Sequence, residues 1–69
     1  MSISEKLILK IFRKFYMQPG KMLCFSGMDL ASKQGALDSL VDKQLLIREK
    51  VSGAFSLTSS GYVQMRRAT

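Results

Sequence analysis

The chain predicts a single small α+β domain, mainly α, on three observations. Two long stretches carry apolar residues at helical spacing, a later aliphatic stretch shifts to the two-residue period of strands around Ser52-Gly53, and a cap signal at Thr58 restarts a helix. The expected order is helix 1, a short helix or strand, a core-facing helix, a β-hairpin and a C-terminal helix. No repeat, low-complexity stretch or linker divides residues 1–69, so one domain is expected.

Ser2 followed three residues later by Glu5 is a capping box, and no Gly or Pro interrupts the chain as far as Tyr16. Helix 1 is therefore expected over Ile3 to Met17, with Pro19-Gly20 as its stop. At ~100° per residue, Ile3, Leu7, Ile8, Leu9, Ile11, Phe12, Phe15 and Tyr16 cover an arc of roughly 240°. Lys6, Lys10, Arg13 and Lys14 share the remainder. That apolar arc exceeds what one small core uses. Either the rest of the domain sandwiches the helix, or Ile8, Phe12 and Phe15 pack against a second subunit to form a homodimer.

Lys21 to Phe25 reads equally as a strand or a helical turn, and Cys24, set among Met22, Leu23 and Phe25, is expected to be a buried small hydrophobe. Ser26 with Asp29 three residues on is a second cap-like start, for a short helix over Gly27 to Ala31. From Ser32 to Gln44 a further helix is expected, whose Leu37, Leu40 and Val41 join Leu30 and Leu45 in one apolar stripe. Its other face holds Lys33, Gln34, Asp38, Ser39, Asp42 and Lys43.

Leu45 to Val51, the Ser52-Gly53 turn and Ala54 to Leu57 then form the hairpin. Thr58 caps the last helix, with Tyr62, Val63 and Met65 on its apolar side, Arg66-Arg67 at its end, and Gly61 as an unfavourable residue in its first turn. Phe12, Phe15, Phe25 and Phe55 fall on apolar faces and are expected in the core.

Composition removes most chemistry. The 69 residues include no His, one Cys and five carboxylates, and 46% are hydrophobic. A zinc site needs about four clustered ligands, and a Cys nucleophile needs a base beside it. No catalytic residue, metal or cofactor is expected, and the chain reads as a non-enzyme. With no apolar segment of signal or membrane length and no possible internal disulfide, the expected location is cytoplasmic, away from membranes. A domain this size buries about 60% of its unfolded surface, so partner subunits are natural. Eleven Lys and Arg against five Asp and Glu leave a formal charge of +6 and a pI near 9.9. Such an excess points to a polyanion, nucleic acid first.

Two stretches carry a resemblance. Ala36-Leu37-Asp38-Ser39-Leu40-Val41-Asp42-Lys43-Gln44-Leu45-Leu46-Ile47-Arg48-Glu49 resembles the end of the recognition helix and the start of the wing in MarR- and PadR-like winged helix-turn-helix regulators. Gly53-Ala54-Phe55-Ser56-Leu57-Thr58-Ser59-Ser60-Gly61 is similar to their returning wing strand and the Leu-Thr-x-x-Gly that opens the next helix. Together they span about a third of the chain. The sequence departs from the family at Gln44, where a Gly is usual.

The resemblance implies a regulator that binds double-stranded DNA through the Ser32–Gln44 helix and the Arg48–Gly53 wing, with contacts at Ser32, Lys33, Gln34, Ser39, Lys43, Arg48, Lys50 and Ser52. Separately, Lys6, Lys10, Arg13 and Lys14 form a stripe of like charge without an intervening acid, which an anion would neutralise, so phosphate contacts are expected there too. Asp38 and Asp42 stand against that reading unless they pair with neighbouring lysines or face away from the duplex. Winged helices also serve as protein-protein adaptors, and an acidic protein partner is the alternative.

Overall fold

The computed structural model describes residues 2–68. Along them run α1 (Ile3–Lys14), β1 (Met22–Cys24), α2 (Gly27–Asp42), β2 (Leu46–Arg48), β3 (Ala54–Leu57) and α3 (Ser59–Ala68). The fold is α+β and mostly helical, and its three-stranded antiparallel sheet has the order β1-β3-β2. Leu23 and Arg48 lie opposite Phe55 from the two flanking strands. As the central strand, β3 is buried along its whole length. Its apolar run makes that possible, and Ser56 meets the requirement that buried polar groups be paired by donating to Glu49 Oε2.

α1 begins with the expected capping box. Ser2 Oγ accepts the Glu5 N–H at 3.1 Å and Glu5 Oε1 accepts the Ser2 N–H at 2.8 Å. The helix stops at Lys14, well short of Pro19. Tyr16 turns left-handed at φ 54°, its N–H reaching Arg13 O at 3.0 Å and the Met17 N–H reaching Phe12 O at 3.0 Å. This pair of bonds is the Schellman termination. α2 ends in the same way: Gln44 has φ 62°, with its N–H on Val41 O at 2.9 Å and the Leu45 N–H on Leu40 O at 2.9 Å. Gln44 thus takes a left-handed backbone that glycine adopts at less cost.

The two helices expected over Gly27–Ala31 and Ser32–Gln44 are one helix, Gly27–Asp42. Neither Gly nor Pro lies between Met28 and Gln34, and the Ser32 hydroxyl donates back to Asp29 O at 3.2 Å instead of capping a new start. With no break there is no helix-turn-helix corner. Ser26 is the N-cap residue by position but makes no side-chain cap bond. The ambiguous Lys21–Phe25 segment resolves as a strand.

The core joins Ile8, Leu9 and Phe12 of α1 to Leu37 and Leu40 of α2, Phe55 and Leu57 of β3, and Met65 of α3. Phe12, Phe25 and Phe55 form an aromatic chain through it, with centroids 6.1 and 6.2 Å apart. Two expectations change. Phe15 is 57% exposed, because it is the C-cap of α1, where the chain turns away from the core. Cys24 is exposed, because in the edge strand β1 the alternation turns Leu23 inward and Met22 and Cys24 outward.

The Leu-Thr-x-x-Gly stretch has a structural task. Thr58 Oγ1 accepts the Gly61 N–H at 2.9 Å, capping α3, and donates to Gln44 O at 2.7 Å, tying that cap to the end of α2. A Cβ on Gly61 would overlap the Leu45 carbonyl. The glycine that weakens the helix locally is what lets α3 pack this closely. No helix among the described residues is long and apolar enough to cross a membrane.

Candidate nucleic-acid interface

The expected contact residues divide by what they already bind. Lys33 Nζ lies 3.1 Å from Asp29 Oδ1 one turn earlier on α2. Arg48 of β2 reaches across to Asp38 of α2 at 2.6 Å, and Gln34 Nε2 donates to the same Asp38 oxygen at 2.8 Å. Asp38 therefore staples the hairpin to the helix and neutralises the arginine expected to reach DNA.

Ser39 and Lys43 face α1. Ser39 Oγ donates to Glu5 Oε2 at 2.9 Å, and Lys43 Nζ stands 2.8 Å from the same oxygen and 3.0 Å from Oε1. Glu5 is only 3% exposed. The Lys43 ammonium, followed by the Ser2 N–H and the Ser39 hydroxyl, holds its carboxyl down at about 2, against an ordinary 4.5, although burial pushes the other way. The capping-box acid is also the hub of the α1–α2 contact, a role with no local signal, since its partners lie 34 and 38 residues away.

Ser32, Lys50 and Ser52 remain exposed, but the loop that carries Lys50 and Ser52 is folded back. The Phe25 N–H donates to Gly53 O at 2.7 Å and the Ala54 N–H to Val51 O at 3.1 Å. Gly53 has φ 82° with Phe25 O directly against it, so the tip cannot carry a side chain there without shifting. The outward face of α2 presents Met28, Ala31, Ser32, Gly35 and Asp42, and none of these is a cation.

Of the proposed dimer contacts, Ile8 at 1% and Phe12 at 0% exposure are spent inside the monomer. They belong to the hydrophobic core and are not available to a second subunit. Phe15 alone of the three is on the surface, at the C-cap of α1, while the other exposed apolar residues Ile3 and Leu7 lie toward the helix's start.

The α1 stripe has a different character. Lys6, Lys10, Arg13 and Lys14 are all exposed, and among the described residues none has an acid partner. Lys6, Lys10 and Arg13 follow the i, i+4, i+7 spacing that lines up side chains on one helix face. α3 packs along α1 and adds Arg66 and Arg67, both exposed. Where the two helices meet the loop after α1, an open cleft of about 670 Å³ is walled by Arg13, Lys14, Tyr16, Tyr62 and Arg66, over a floor that includes Met17 and Met65. The Arg66 guanidinium stands 5.9 Å from the Tyr62 ring centroid, a cation–π distance. The sequence shows the stripe but not its meeting with Arg66, which depends on how α3 docks.

No protein-family description, curated protein sequence or solved structure matches this chain.

Proposed function

We propose that this chain is a small DNA-binding domain of winged-helix-like layout that grips the phosphate backbone with the α1–α3 edge and does not read bases with α2. What supports this is the contrast in charge state. The cations on α2 and β2 are neutralised inside the molecule, whereas Lys6, Lys10, Arg13, Lys14, Arg66 and Arg67 are exposed with no acid partner among the described residues. Four like charges along one helix repel one another, and a polyanion removes that repulsion while releasing its own counterions. The strand order β1-β3-β2 and the hairpin are compatible with a winged-helix layout. A phosphate grip of this kind suits accessory DNA binding, and regulation of transcription rests on the sequence resemblance alone.

Fluorescence anisotropy with a mixed-sequence duplex at two salt concentrations tests this. Binding that is micromolar at low salt and weakens steeply as salt rises is expected. Absence of binding at low salt overturns the proposal.

A second reading rests on a specific observation. Ile3 at 79% and Leu7 at 53% exposure flank the lysines of α1, a mixed apolar and basic surface that fits an acidic protein partner. The same titration separates the two, since an adaptor need not bind duplex.

A further inference from the structure

We infer that the cleft between the end of α1 and α3 binds an unpaired nucleotide by stacking its base on Tyr16, so that the protein prefers DNA with a single-stranded tail to blunt duplex. This rests on the reading of the α1–α3 edge as a phosphate-binding surface, and adds to it a place for a base.

Two independent observations point to it. The first is backbone geometry. Tyr16 occupies the left-handed C′ position of the α1 termination at φ 54°, where glycine is favoured and a bulky aromatic is an outlier. The fold does not need the ring there. The apolar contact that accompanies such a termination comes from Met17, which packs on the core, while Tyr16 is 87% exposed. An unfavourable backbone conformation at an exposed aromatic side chain is where a binding role is to be sought.

The second is the company the ring keeps. Tyr16 shares the cleft with Arg13, Lys14 and Arg66, cations without acid partners among the described residues. Arg66 already lies over Tyr62, whereas the Tyr16 side chain has no ring or hydrogen-bond partner among the described residues. A free aromatic face set among cations is the arrangement that holds single-stranded nucleic acid, since every base has a π-face and every nucleotide a phosphate. Duplex bases are stacked on one another and cannot use it. A tail can.

The chain has two tyrosines and no tryptophan, and both tyrosines line the cleft, so intrinsic emission reports directly on it. Three duplexes are compared at equal salt: blunt, with a four-thymidine tail, and with a tail of four abasic residues that supplies the phosphates without the bases. The thymidine tail is expected to bind at least about fivefold tighter than the abasic tail and to be the one that quenches tyrosine emission. Tyr16→Gly, which relieves the backbone and leaves thermal stability unchanged or raised, is expected to abolish that preference while keeping blunt-duplex binding. Tyr16→Phe is expected to retain it.

Equal affinity for the two tails overturns the inference and leaves the phosphate-binding reading standing. No salt-sensitive binding to any of the three overturns both. Quenching by free thymidine monophosphate at the same nucleotide concentration assigns the cleft to a mononucleotide and overturns the preference for tails. Should Tyr16→Gly fail to fold, Tyr16→Asn, which also tolerates the left-handed backbone, takes its place, with the preference expected to be lost.

Discussion

The α2–hairpin region and the α1–α3 edge both carry basic side chains, but Lys33, Lys43 and Arg48 of the first, though not Lys50 of the hairpin loop, are paired with carboxylates and those of the second are not. In the first region Lys33 and Arg48 pair with carboxylates of α2 and Lys43, turned toward α1, pairs with Glu5, each within 3.1 Å. On the second, Lys6, Lys10, Arg13 and Lys14 extend into solvent in succession. The lesson is that a cation on the right element is no guide to a binding face until its acid partners are known. A paired charge has little field left for a ligand, and breaking its pair costs stability that binding must then recover.

This comparison is sharpest where binding and stability move separately. Replacing Lys6, Lys10, Arg13 and Lys14 together by Gln is expected to weaken duplex binding about 100-fold at low salt, with the melting temperature unchanged or slightly raised as self-repulsion is relieved. Anisotropy and circular dichroism on the same preparation check both halves. The paired set should behave in the opposite way: Lys33→Gln with Arg48→Gln is expected to change binding only a few-fold.

Glu5 supplies the next effect. Its carboxyl titrates near 2 in the fold against 4.5 ordinarily, so the stability it contributes is complete above about pH 4.5 and is lost as pH falls toward 2. Glu5→Gln is expected to lower stability at pH 7 by on the order of 3 kcal/mol, a fall in melting temperature of about 10–20 °C for a domain this small. Denaturant melts from pH 7 down to 2 should then show much less acid sensitivity in the variant than in the parent. An unchanged pH profile would remove Glu5 as the hub of the α1–α2 contact.

Ser39→Ala removes one donor to that carboxylate and is expected to cost about 1 kcal/mol, with DNA affinity unaffected. A loss of affinity without a loss of stability would return Ser39 to the binding face. The smallest effect belongs to Asp38. Its pair with Arg48 is about half exposed at both ends, so Asp38→Asn is expected to cost under about 1 kcal/mol while releasing the arginine and raising duplex affinity a few-fold.

Much of the scaffold was legible in the residues. Ser2 with Glu5, the Ser52-Gly53 turn and Thr58 with Gly61 are local signals, and each marks the element it was expected to mark. The two-helix reading of Gly27–Gln44 failed because nothing between Met28 and Gln34 breaks a helix, and a serine hydroxyl can bond a backbone carbonyl one turn back inside a helix as readily as it can cap one. Cys24 and Phe15 were misplaced because facing is set by the sheet edge and by the helix terminus, and neither leaves a pattern in three or four residues. The site was less legible than the fold. Its charges could be listed, but their pairing depends on contacts such as Glu5 with Lys43 and Asp38 with Arg48, which span the domain, and the cleft exists only once α3 has docked on α1.

The most direct test of the central claim is the salt dependence of duplex binding, measured for the parent and for the variant with Gln at Lys6, Lys10, Arg13 and Lys14. Each phosphate contact contributes about 0.9 to the slope of log affinity against log salt. The variant is expected to lose about 3 to 4 units of that slope relative to the parent. An equal slope in the two proteins, with the loss appearing instead when Lys33 and Arg48 are replaced, would contradict the claim and return the interface to α2 and the hairpin.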